Sequence, residues 1–93
     1  MLIIVKSGPD TFEGKRGVEL ARDAAANLVL LQNGVCFAQR GRLEGLRGTV
    51  YLLGEDKRLR GLKDEELEEG IKKLDVNTLI ELLTNEDRVV GMF

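Results

Sequence analysis

Ninety-three residues with 14 Lys and Arg against 16 Asp and Glu leave a formal charge of −2, and 43% of the chain is hydrophobic. This balance excludes whole-chain disorder and the electrostatic footprint of a general nucleic-acid binder, and the length fits one domain over residues 1–93. One cysteine, Cys36, forbids an internal disulfide, and the lack of histidine removes imidazole triads, proton relays and the commonest metal sites.

Leu2 to Val5 is a continuous apolar, β-branched run closed by Lys6 and the turn-forming Ser7-Gly8-Pro9-Asp10, the pattern of a central strand buried on both faces. Its positive charge follows the apolar run, unlike a signal peptide, and no run reaches the ~20 residues of a membrane span, so a soluble cytoplasmic protein is expected. Asp10 or Thr11 is placed to cap a helix with Leu20, Ala21, Ala24 and Ala25 as its apolar stripe. Leu28 to Leu31 is a second two-sided strand. Gln32-Asn33-Gly34 reads as a turn with Asn33 as cap, and Val35 to Gln39 as a short helix. Gly41, Gly45 and Gly48 interrupt the chain before a third strand, Thr49 to Leu53, and a helical turn or two over Glu55 to Leu59. Asp64 to Glu69 surrounds Leu67 with acids and reads as a solvated segment. Ile71 to Leu74 is a fourth strand. Asp75 then caps a helix in which Val76, Leu79, Ile80 and Leu83 repeat at helical spacing and which Asn85 ends. Arg88 to Phe93 is a short fifth strand or edge segment.

The alternation predicts an α/β fold: a mainly parallel sheet of four to five strands with helices on both faces, a three-layer flavodoxin- or Rossmann-like sandwich. Sites in such sheets lie beyond the carboxyl ends of the strands. Cys36, two residues after Gly34 near a helix start, is the one candidate nucleophile, while its flanking Val35 and Phe37 favour core packing. Neither GxGxxG nor a phosphate loop is present, so no cofactor is expected. Neighbouring carboxylates such as Glu55 and Asp56 point apart, and no metal site is expected. Arg40, Arg42, Arg47, Lys57, Arg58, Arg60 and Lys63 make a basic stretch suited to a partner surface, but the small net charge argues against direct nucleic-acid binding. Asp56 and Arg60 fall at i, i+4 and pair if helical.

Three stretches, in order, resemble the TusB/DsrH family of sulfur-relay proteins within the wider DsrE-like group. They are Leu28-Val29-Leu30-Leu31-Gln32-Asn33-Gly34-Val35; Val50-Tyr51-Leu52-Leu53-Gly54-Glu55-Asp56 running on to Arg60-Gly61-Leu62; and Asp75 opening a helix with Leu79, Ile80, Leu82 and Leu83. The resemblance singles out Gln32, Asn33, Gly34, Asp56, Arg60, Gly61 and Asp75 as motif positions. It implies a subunit, not an enzyme by itself, that assembles with DsrE/TusD-like and DsrF/TusC-like chains and receives sulfur indirectly from a TusA-like donor. Such complexes pass persulfide sulfur toward 2-thiolation of the tRNA wobble uridine, or serve dissimilatory sulfur metabolism. In the family the carrier cysteine belongs to the DsrE/TusD-like chain, in the loop after its third strand, and the matching Gly54-Glu55-Asp56 has none. Val89, Val90 and Phe93 are the expected interface residues; the alternatives are a small persulfide carrier using Cys36 and a homo-oligomer with a binding or regulatory role.

Overall fold

The computed structural model describes every residue from Met1 to Phe93. Strands β1 (Leu2–Val5), β2 (Asn27–Leu30), β3 (Val50–Leu53), β4 (Lys72–Leu74) and β5 (Val89–Met92) are all parallel and lie in the order β4-β3-β2-β1-β5. The expected α/β domain is therefore what forms, with β2 at the centre and β1 between β2 and β5. Between the strands run helix α1 (Phe12–Ala24), a 3-10 helix (Gln32–Ala38), α2 (Gly54–Leu59), a short 3-10 turn (Asp64–Glu66) and α3 (Val76–Asn85).

The first three crossovers step one way, from β1 to β4, and the last returns across the whole sheet to β5. Right-handed connections put the first three on one face and α3 alone on the other. The side chains agree. Ile3, Val5, Leu28, Leu30, Val50 and Leu52 pack with Val18, Ala21, Val35 and Phe37, whereas Leu2, Ile4 and Val29 pack with Leu79. Leu28 and Leu30 lose all exposure, and each such leucine contributes about 1.5–3 kcal/mol.

Thr11 caps α1, its Oγ1 accepting from the Gly14 amide at 3.0 Å, and the helix stops at Ala25, which is left-handed at φ 52°. The buried line of α1 is Gly14, Gly17, Val18 and Ala21, not the expected Leu20, Ala21, Ala24 and Ala25. Close approach decides this: a Cβ on Gly17 would overlap Val5 and Phe93, so the glycine side faces inward and Leu20 turns outward. On α3 the stripe is likewise rotated. Leu79 is buried, Leu82 and Leu83 are partly covered, and Val76 and Ile80 stay exposed.

The acidic segment also corrects its expected role. Leu67 joins the main core, and the chain is tied down on both sides, Arg40 N donating to Glu66 O at 3.0 Å and Glu68 N to Ala38 O at 2.8 Å. Its acids cover a surface whose backbone is structural.

The sharpest local requirement is at Gly34, buried where the 3-10 helix crosses the end of β1. A Cβ there would be driven into the Val5 carbonyl. Gly34→Ala should therefore lower unfolding stability by roughly 2–3 kcal/mol, the scale of overpacking against immovable backbone, read as a shift of the urea midpoint at unchanged slope.

Candidate functional site

Beyond the carboxyl ends of β2 and β3, four of the motif positions converge. Gln32 opens the 3-10 helix with a left-handed backbone at φ 50°, and its amide donates to Asp56 Oδ2 at 2.7 Å. Arg60, at the end of α2, donates from Nε to Asn33 Oδ1 at 2.9 Å. Its Nη1 lies 3.8 Å from Asp56 Oδ1 and 3.4 Å from the Asp56 carbonyl, the pairing expected from the i, i+4 spacing. Asn33 is thus a partner of Arg60 rather than a helix cap; no side chain caps this 3-10 helix.

The Gln32–Asp56 and Asn33–Arg60 bonds join segments 24 and 27 positions apart in sequence. The Asp56 carboxylate compensates a conformation that costs a non-glycine residue about 1 kcal/mol, and a hydrogen bond to a charged acceptor contributes about 1.5–3 kcal/mol. Gly34 adds its amide, donating to Lys6 O at 3.1 Å and Leu31 O at 2.8 Å. Gly61, at φ +69°, supplies the left-handed turn that sends the chain away from α2.

Asp75 stands apart, at the start of α3. Its Oδ1 accepts from the Thr78 amide at 2.7 Å, and that backbone hydrogen bond holds its carboxyl below the usual carboxylate range. It also borders an open cleft of about 480 Å³ between the first turns of α2 and α3, beside Gly54, Glu55, Lys57 and Lys73. In that cleft Asp64 Oδ1 receives Lys57 Nζ at 2.9 Å and Lys73 Nζ at 3.0 Å. Hydrogen bonds from Lys57 and Lys73 push the Asp64 carboxyl down. Nothing in the local sequence marked this bridge, because its three members sit on α2, the short 3-10 turn and β4.

Cys36 does not join the polar cluster. It is half-buried, fifth in its 3-10 helix, packed on the main core, and it borders a separate open cleft of about 310 Å³ with Pro9, Asp10, Gln39 and Arg42. No three His, Cys, Asp or Glu side chains converge as metal ligands. Val89 and Val90 are 46% and 43% exposed. Phe93, assigned to the same interface, instead packs inward against Gly17 and Gly91; its amide donates to Ile4 O at 2.7 Å and its carbonyl accepts from Ser7 Oγ at 2.6 Å. No helix is long and apolar enough to cross a membrane.

Comparison with known proteins bears on the fold and the family. Residues 16–89 match the family model described as "DsrH like protein". Among solved structures, the ychN protein from E. coli superposes with a TM-score of 0.80 at 18% identity over 97% of both chains, which shows a common fold. Protein Tm0979 from Thermotoga maritima superposes with a TM-score of 0.69 at 26% identity, over 98% of this chain and 100% of that one. No curated protein matches significantly. The chain belongs to the DsrH-like family, as its three resembling stretches indicated.

Two measurements check the network. Asp56→Ala should cost about 1–3 kcal/mol in urea unfolding and speed exchange of the Gln32 amide, whereas Arg60→Ala, losing a half-exposed ion pair, should cost about 0–1 kcal/mol. At Asp75 folding lowers the carboxyl's pKa, so its cap is in force above the unfolded value and is lost as pH falls through the lower folded one. Thr78 amide exchange should therefore accelerate only below the usual carboxylate range, and Asp75→Ala should abolish that pH step.

Proposed function

We propose that this DsrH-like protein is the accessory, non-catalytic subunit of a sulfur-relay assembly. Its partners are DsrE/TusD-like and DsrF/TusC-like chains fed by a TusA-like donor. The assembly moves persulfide sulfur toward 2-thiolation of the tRNA wobble uridine or through dissimilatory sulfur metabolism. The observation that carries the reading is what stands at the end of β3. Where the resemblance puts the partner's carrier cysteine, this chain has Gly54-Glu55-Asp56, and Asp56 is committed to Gln32 and Arg60. A carboxylate tied into the scaffold accepts no sulfur, and the one thiol lies elsewhere.

The partner requirement is supported by the coverage of the sheet. Sheet neighbours lie about 4.8 Å apart, so five strands span about 19 Å, wider than one α-helix with its side chains at about 10–12 Å. Leu31, Tyr51, Leu53 and Leu74 are accordingly left only partly covered on the α3 face.

A second reading has one observation in its favour: Cys36 borders an open cleft beside Arg42, where a persulfide anion would meet a positive charge. One experiment separates the two. Native mass spectrometry of the protein drawn gently from its own cells should give a complex with two similar-sized chains, sequenced as DsrE-like and DsrF-like, and no sulfur adduct on this subunit. A homo-oligomer alone would overturn the accessory reading. An adduct that disappears in Cys36→Ser would establish the carrier instead.

A further inference from the structure

The lysine pair in the cleft between α2 and α3 is served by less negative charge than it can hold. Lys57 Nζ and Lys73 Nζ both reach Asp64 Oδ1, at 2.9 and 3.0 Å, and neither has a second acidic partner. Two ammonium groups carry six N–H donors, and here they share one carboxylate oxygen. Arg58, which lines the same cleft, forms no ion pair. The cleft lies beyond the carboxyl ends of β3 and β4, where Gly54 and Asp75 follow the strands, and parallel sheets present their ligand sites at that end.

The two sides of the bridge are seated differently. The Lys57 side chain is only 12% exposed, so its charge is fixed in the cleft, whereas the Asp64 side chain is 63% exposed. On either side of Asp64 the backbone is anchored by Leu62 and Leu67, both buried in the main core. Rotation of the Asp64 side chain alone therefore uncovers both ammonium groups without moving the chain.

We propose that this cleft binds a phosphate dianion, free or carried on a small molecule, and that Asp64 fills its place when it is absent. Ammonium groups that share one oxygen at these distances lie within about 6 Å of each other. One tetrahedral oxyanion bonds to both at the ~2.8 Å of charge-assisted hydrogen bonds. A ligand carboxylate would merely exchange one for one with Asp64, but a phosphate dianion adds a second charge and further oxygens. Arg58 supplies a planar fork suited to them. Of the opposing carboxylates, Asp75 is committed to the Thr78 amide and Glu55 is exposed, so three cations face these two once Asp64 turns away. A volume of about 480 Å³ leaves room for the body of a phosphate ester. The chain has no glycine-rich phosphate loop, so side chains carry the recognition. This site concerns the chain alone and stands separately from the sulfur-relay reading.

The test is an amide NMR titration of the whole chain with inorganic phosphate and, separately, glycerol 3-phosphate, against chloride at matched ionic strength. Both phosphates should give saturable shifts at Gly54, Lys73, Leu74 and Asn77 that chloride does not, and the tighter of the two identifies the free ion or the ester as the source. Lys73→Gln should weaken binding at least about fivefold, since it removes one of the two bridging charges. Asp64→Asn should tighten it at least about fivefold, because the competing internal anion is gone. A bridge that served stability alone would give no such tightening. The absence of saturable shifts up to roughly 50 mM phosphate, well above a millimolar dissociation constant, would overturn the proposal. An Asp64→Asn protein that binds no more tightly than the wild type would overturn it equally. Should the variants unfold, the ammonium nitrogen resonances of Lys57 and Lys73 in the wild type decide. Movement with phosphate and not with chloride supports the site, and no movement disposes of it.

Discussion

In a parallel sheet the handedness of a crossover decides which face its connection covers, and the remaining features follow from how this chain uses that constraint. Three steps in one direction place α1, the Gln32–Ala38 helix and α2 over one face, and a single return places α3 over the other. One face is thick and closed: fifteen buried residues form its core. The other has four, with a rim of half-covered leucines and Tyr51 around a ten-residue helix. The unevenness is topological, so no choice of side chains on α3 alone could remove it.

The closed face depends on backbone approaching backbone. Gly17 lets α1 settle on Val5 and Phe93, and Gly34 lets the 3-10 helix lie on the last residues of β1. These contacts bring the ends of β1 and β2 together, and Asp56 then fastens the loop after β2 to the helix after β3. Three consecutive strand ends are held in one frame by a glycine, a carboxylate and a guanidinium. The positions that the resemblance singled out are in this respect architectural: the Gln32 amide, Asn33 Oδ1, Asp56 and Arg60 bond to one another.

What was legible in the sequence divides along the same line. The strands were plain because parallel strands buried on both faces read as unbroken apolar runs, and Asp75 was plain because an N-cap is a local signal. The inward face of α1 was not, since glycines carry no hydropathy and Leu20 draws the stripe to the wrong side. Leu67 was hidden by its acidic neighbours, although a single apolar residue suffices to anchor a segment whose backbone pairs with Ala38 and Arg40. Periodicity within an element cannot report a bond such as Gln32 to Asp56, 24 positions apart. Resemblance to a family marked those residues as a set; only the fold shows that they touch.

Architectural motif residues shift the question of function to the surfaces left over. Across the cleft between α2 and α3, Lys57 and Lys73 share the one carboxylate of Asp64, and the lining as a whole sets Lys57, Arg58 and Lys73 against Glu55, Asp64 and Asp75. Cys36 sits on another wall, half-covered by core. What stays exposed is apolar instead: the margin of the α3 face, and the uncharged β5 edge. Neither surface is a concave pocket of the kind that encloses a small substrate. The polar groups of the motif positions are used inside the scaffold, and the exposed apolar area lies on the α3 face and the β5 edge.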